Sequence, residues 1–269
     1  MIYLDYLANT PADPAVLEAF YRTEQTYIGN PNSTHPAGQA AQTEMTRVTE
    51  SIAGLLRVSP EEIIYTSGAS ESNNLALKGI VQVSRHIGRH VISTALEHSS
   101  VGGALFKRKD LVIEPQIHGG GSTTPYRSGT PALGLAVSTE TALRLALENQ
   151  EQRIAHVWKL NRFLRAGLSK YPAVRINSPE NAVPHILNLS VSGVKGTVFQ
   201  QELGKRGVCV SVKSACSVEG TPSKAVFAVN RDRKNALSSW RISLSHLTTM
   251  EEVREFLQIF DCCYKELVR

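Results

Sequence analysis

The chain has 269 residues, 42% of them hydrophobic and 20% charged, with a formal net charge of +5 and a pI near 9.0. That balance implies a folded core in one large domain or two moderate ones, and no apolar run is long enough to cross a bilayer. The four cysteines form neither a C-x-x-C zinc signature nor a disulfide framework.

The N-terminus MIYLDYLANTP carries no basic stretch followed by an apolar one, so secretion is not expected and a reducing cytoplasm fits best. Its first residues look extended and turn at NTPADP (9–14). AVLEAFYRTEQTY (15–27) has helical spacing, with Asp13 and Pro14 as start signals. GNPNSTHPAG (29–38) has loop composition. The segment 40–58 predicts a helix on Met45, Val48, Ile52 and Leu55 or Leu56. Residues 59–85 read as a short strand, a glycine turn and a helix, and HVISTALEHSS (90–100) as a second short strand. GGGSTTPYRSGTPA (119–132) is a loop, and 132–171 one or two long amphipathic helices. Strands follow at 185–191, 208–212 and 238–245, with helices at 197–207 and 250–268, the last capped by Thr248 or Thr249. The basic runs KRK (107–109) and RDRK (231–234) read as solvated surface rather than as a nucleic-acid face.

Five places could carry chemistry. TSGASESNN (66–74) follows a strand and opens a helix, so its small residues and free N–H groups suit a phosphate. They equally suit a plain capped helix with Ser70 or Ser72 as N-cap. His98 stands at a strand end, where α/β sheets face ligands, or is simply bonded to backbone. HGGG (118–121) has no G-x-S-x-G elbow to accompany it, which removes the hydrolase reading, and RSGT (127–130) is a phosphate-touching turn or just a turn. Arg241 lies in an apolar strand and needs a partner: a ligand carboxylate, or a structural salt bridge. Cys216 sits among small polar residues in SVKSACSVEG (211–220), as a mobile nucleophile or an ordinary surface thiol. Cys209, Cys262 and Cys263 read as structural.

Taken in order, these stretches resemble the cysteine desulfurases, a class V aminotransferase-like branch of the pyridoxal-phosphate (PLP) fold-type I enzymes. YLDYLANTP is similar to the family's YLDYxATTP, GNPNSTHPAG to GNPxSxHxxG, and EIIYTSGASESNNLALKG to its phosphate-cup strand and helix. EH (97–98), the loop ending in RSGT, SACS and WRISLS resemble further family stretches. The resemblance implies an α/β fold: a truncated large domain over 15–149, a smaller α+β domain over 150–269, and an N-terminal arm, 1–14, associated with the latter. It implies turnover of L-cysteine to L-alanine with a persulfide left on Cys216. His98 would be the ring-stacking acid–base group and Arg241 the substrate carboxylate clamp. Ala69 and Ser70 would lie at the PLP phosphate, with Thr130 at that of a partner subunit. A homodimer or an intact paralogue, and a sulfur-acceptor or scaffold protein, are the implied partners.

One departure is large. Between His98 and His118 the family carries a long block absent here, with the aspartate at the pyridine nitrogen and the S-x-H-K lysine that holds PLP. No S-x-H-K occurs in the chain, and nothing in the spacing of Lys107 or Lys109 supports a substitute. Turnover is therefore expected to be absent or impaired, and the shortened sheet to leave an uncovered face. A non-catalytic partner-binding relic and an internal-deletion product are the alternatives.

Overall fold

The computed structural model describes residues 1–86, 104–119, 125–212 and 221–268. It divides into two compact units. One takes in Met1–Pro11 and Asn149–Arg269, and the other holds the described residues of 12–148.

The first eleven residues, including β1 (Ile2–Tyr3), belong to the first of these units. In the other, α1 (Pro14–Thr26) starts on Asp13, whose side chain accepts from Ala15 N at 2.9 Å. Pro14 sits in the first turn, where a missing N–H costs nothing. Helix α2 (Pro36–Leu56) begins four residues before the predicted start. His35 explains this: its Nδ1 accepts from Gly38 N at 3.2 Å, and Pro36 opens the first turn. The helix buries Ala41, Met45, Val48 and Ile52. β2 (Ile63–Tyr65) pairs antiparallel with β3 (Ala104–Phe106), Ile63 opposite Phe106. β3 is too short for periodicity to reveal. The strand expected at 90–100 lies outside the described residues. Helices α3 (Ala69–Val83) and α4 (Leu133–Glu148) complete the unit, α1 and α2 packing on α4 around Met45, Val48, Ile52, Ile63 and Val137.

The other unit is α+β. It contains α5 (Gln150–Leu168), β4 (Val174–Ile176), β5 (Ile186–Val191), α6 (Gly196–Lys205), β6 (Val208–Cys209), α7 (Lys224–Asn230), α8 (Arg233–Ser238), β7 (Ser239–Ser243) and α9 (Met250–Leu267). The long helical stretch of 132–171 is thus two helices meeting at Asn149. An antiparallel sheet runs β4–β5–β7, and β1 pairs parallel with β6. Bridges from Asp5 to Ser243 and from Ser211 to Arg241 tie these pieces to β7. The core behind the sheet is Trp240, Phe199, Phe256, Phe260, Leu187 and Leu189, all fully buried. Each such side chain contributes about 1.5–3 kcal/mol of transfer free energy. Thr249 caps α9 in a capping box with Glu252 (Glu252 N to Thr249 Oγ1, 3.1 Å). Among the described residues, no helix is long and apolar enough to cross a membrane.

Candidate functional site

The first turn of α3 is built by the stretch TSGASES. Its N-cap is Gly68, with no side-chain cap, which corrects the expectation of Ser70 or Ser72. Ala69 and Ser70 open the helix, and Ser72 N already bonds Gly68 O at 3.1 Å. Among the described residues, a Cβ placed on Gly68 would meet nothing within 4 Å, so they leave open space ahead of the turn. A helix start without a side-chain cap, next to open space, can receive an anion.

Behind this turn stands a polar frame. Thr66 Oγ1 and Ser72 Oγ lie 2.7 Å apart. Glu71 accepts from Ser67 N at 2.8 Å, from Ser67 Oγ at 2.5 Å and from Arg127 Nε at 2.9 Å. Burial works to raise the Glu71 pKa, but the Arg127 guanidinium and the two Ser67 donors hold it down to about 2. Glu71 is therefore a fixed anion, and it ties the RSGT turn to the start of α3. Arg127 is committed to this carboxylate. Thr130 Oγ1 accepts from Asn30 Nδ2 at 3.3 Å, joining that turn to the GNPNS loop. Gly38 lets the loop close: a Cβ there would collide with Ser33 O and Asn30 O. The structure thus gathers Ala69, Ser70 and Thr130 onto segments linked by Glu71–Arg127 and Asn30–Thr130.

In the other unit Arg241 is paired. Its Nη2 lies 2.9 Å from Asp5 Oδ1 and its Nε donates to Ser243 Oγ at 3.0 Å. Ser211 Oγ donates to the other Asp5 oxygen at 2.6 Å. The Arg241 backbone also exchanges two hydrogen bonds with Ser211, at 2.6 and 3.2 Å. The strand bearing Arg241 is so clamped to Ser211. Cys216 itself, and His98, lie outside the described residues.

The lysines of residues 12–148 are Lys78, Lys107 and Lys109. Lys107 corrects the reading of KRK as solvated surface: it is 6% exposed, and its Nζ donates to the carbonyls of Leu111 (2.6 Å), Arg108 (3.1 Å) and Lys109 (3.4 Å). The same ammonium lies 4.9 Å from the Tyr126 ring centroid. Lys78 and Lys109 are exposed. Of the remaining cysteines, Cys263 is buried, which pushes its thiol up to about 11, whereas Cys262 is exposed rather than structural. Among the described residues no group of His, Cys, Asp and Glu could hold a metal ion.

The sequence singled out Ala69, Ser70, Thr130 and Arg241 as candidates; it did not single out Asp5, Ser211, Asn30 or the Glu71–Arg127 pair, which bond to them or to their segments. The need of a strand arginine for a partner was the one signal pointing to Asp5, and it did not say which carboxylate.

Comparison with known proteins identifies the family. The model of the Aminotransferase class-V family matches residues 2–115 and 101–256. A NifS/IcsS protein homolog of Lactobacillus delbrueckii subsp. bulgaricus is 23% identical over 375 aligned positions, covering 98% of this chain and 97% of the relative. The cysteine desulfurase IscS of Vibrio cholerae serotype O1 is 28% identical over 364 positions, covering 94% and 90%. A solved structure of a NifS-like protein superposes with a TM-score of 0.89 at 24% identity, covering 99% of this chain and 100% of the other. Since this chain has 269 residues, at least 106 of the 375 aligned positions (375 less 269) face a gap in it. The two family-matched stretches overlap at 101–115, within the stretch where the sequence departs from the family pattern.

Proposed function

The chain belongs to the class V aminotransferase family, and from that premise we propose that it is a cysteine desulfurase-type sulfurtransferase that keeps the sulfur-accepting thiol and has lost the means to run cofactor chemistry by itself. Its curated relatives include cysteine desulfurases, and that is the activity from which the reading starts. PLP, the cofactor this family implies, supplies an electron sink when bound. The described residues fit only one end of it. The open first turn of α3 at Ala69 and Ser70 suits the phosphate, with Thr130 held ready at the edge of its turn for the phosphate of a partner subunit. For the covalent lysine there is no match.

The observation that carries the proposal is Lys107. It is the one buried lysine among the described residues, and its ammonium is already satisfied by three carbonyls. Turning its nitrogen to a cofactor would take it away from those acceptors, so this lysine is committed to the backbone.

The remaining roles follow from the family pattern. Cys216 accepts sulfur as a persulfide. His98 is the acid–base group, and Arg241 holds a carboxylate once Asp5 shares or releases it. L-cysteine is the substrate class, and a scaffold protein the sulfur acceptor. A homodimer, or pairing with an intact paralogue, is the proposed assembly, in the cytoplasm, and of the two only the paralogue would bring the missing lysine. Domain boundaries near 14 and 149 accompany this reading.

The test has two arms. Purified protein is mixed with PLP and L-cysteine, and absorbance, borohydride-stable attachment and alanine are measured. Separately, it is treated with a low-molecular-weight persulfide, and sulfane sulfur is mapped by mass spectrometry. The expected result is no fixed cofactor, no alanine, and sulfur on Cys216 that disappears in Cys216→Ser. Covalently fixed cofactor with alanine release overturns the loss of chemistry. Labelling indifferent to Cys216→Ser overturns the sulfur-acceptor role.

A further inference from the structure

We propose that the outward face of α5, with the start of α9, is a docking groove for an acidic amphipathic peptide segment of a partner protein. The groove lies wholly in the α+β unit and does not depend on the sulfur-transfer reading.

Helix α5 is apolar on two sides. Its inward stripe, Val157, Leu160, Leu164 and Leu168, is fully buried in the core. A second stripe runs along Ala155, Trp158, Lys159, Arg162 and Phe163, and with Met250 it lines an open groove of about 670 Å³. Phe163 is 39% exposed and Trp158 partly so. A helix packed on one side gains nothing from tryptophan and phenylalanine on the other, unless something covers them.

The charged side chains that line this floor, Lys159 and Arg162, are both cations. The Arg162 guanidinium lies 5.6 Å from the Trp158 ring centroid, and that of Arg254, from α9, 5.9 Å from the Phe163 centroid. Lys159, Arg162 and Arg254 form no ion pair with a carboxylate among the described residues. Glu151 on α5 and Glu251 and Glu255 on α9 are exposed and form no ion pair with these cations among the described residues. An apolar floor rimmed by unpaired cations is complementary to a segment with apolar anchors on one face and carboxylates beside them. A nucleic acid fits less well. Single strands need free ring faces for stacking and a track of cations for successive phosphates. Here an arginine already covers a face of each ring, and Ala155 and Met250 make the rest of the floor aliphatic.

The chain reports on this groove by itself. It has two tryptophans, and Trp240 is fully buried, so changes in emission follow Trp158. The probe is a synthetic helix-forming peptide of about fifteen residues, with leucine at positions i, i+3, i+4 and i+7 and glutamate elsewhere. Its lysine-for-glutamate counterpart and a single-stranded oligonucleotide serve as comparisons. The expected result is a blue shift of Trp158 emission with a Kd on the order of 10 μM, weakening as salt is raised. The pair Lys159→Glu and Arg162→Glu weakens binding about tenfold or more. Phe163→Ala weakens it as well, and all variants keep the wild-type circular dichroism because the positions are exposed. Binding of the acidic peptide undiminished by charge reversal overturns the proposal. So does tighter binding of the basic peptide or the oligonucleotide, or no shift up to about 1 mM peptide.

Discussion

Arg241 and Asp5 stand 236 positions apart in the chain and 2.9 Å apart in space, joined Nη2 to Oδ1. The carboxylate serves Arg241 through one oxygen and Ser211 through the other. The pair therefore holds the N-terminal arm, β7 and Ser211 to one another. Asp5→Ala should destabilise the protein by about 1–2 kcal/mol, because a partly buried guanidinium loses its counter-charge. Combining it with Arg241→Gln should recover part of that loss, giving a coupling near 1 kcal/mol. Urea midpoints of the four proteins in the cycle measure both values, and strict additivity would show the pair to be idle.

Glu71 should make stability fall in acid. Its folded pKa, about 2, is below the ordinary 4.5, so the folded state favours the ionised carboxylate. The stability this contributes is present above about pH 4.5 and is lost as pH drops toward 2. Wild type should exceed Glu71→Gln by about 1–2 kcal/mol at neutral pH, with the gap closing by pH 2. Denaturant midpoints across that range decide it, and a gap independent of pH would assign the effect to packing.

Lys107→Met keeps the volume and apolar stem but removes the ammonium from three carbonyls. A loss of about 2–3 kcal/mol is expected. Cofactor behaviour should not change. If Lys107→Met abolished a covalent adduct seen in the wild type, the structural role assigned to this lysine would be wrong.

Gly38→Ala should cost about 2 kcal/mol or more, since its Cβ would press on the backbone of Ser33 and Asn30. His35→Ala, which only removes the α2 cap, should cost about 1 kcal/mol. Thermal melts order the two: Gly38→Ala should melt lower than His35→Ala.

Local signals made much of the fold legible. The Asp13–Pro14 start of α1, the heptad-like Met45–Val48–Ile52 stripe and the Thr249 cap of α9 act within a turn or two of the chain, and each appears where expected. β3, β4, α7 and α8 were not legible, being seven residues or fewer and too short to carry a period. Lys107 misled for a different reason. A run of three cations reads as surface, yet the chain curls back within four residues and offers one of them its carbonyls.

The sequence by itself determined the family, the longer helices with their start signals, and the missing lysine motif. Each of these is written in residue identity and short-range spacing. Only the tertiary structure decided the partners: that Arg241 belongs with Asp5, that Glu71 claims Arg127, that Asn30 reaches Thr130, and that Lys107 is spent on backbone carbonyls. Those choices join residues as many as 236 positions apart. They are made when buried charges must each find a counter-charge or acceptor, and residue type names that need without naming what fills it.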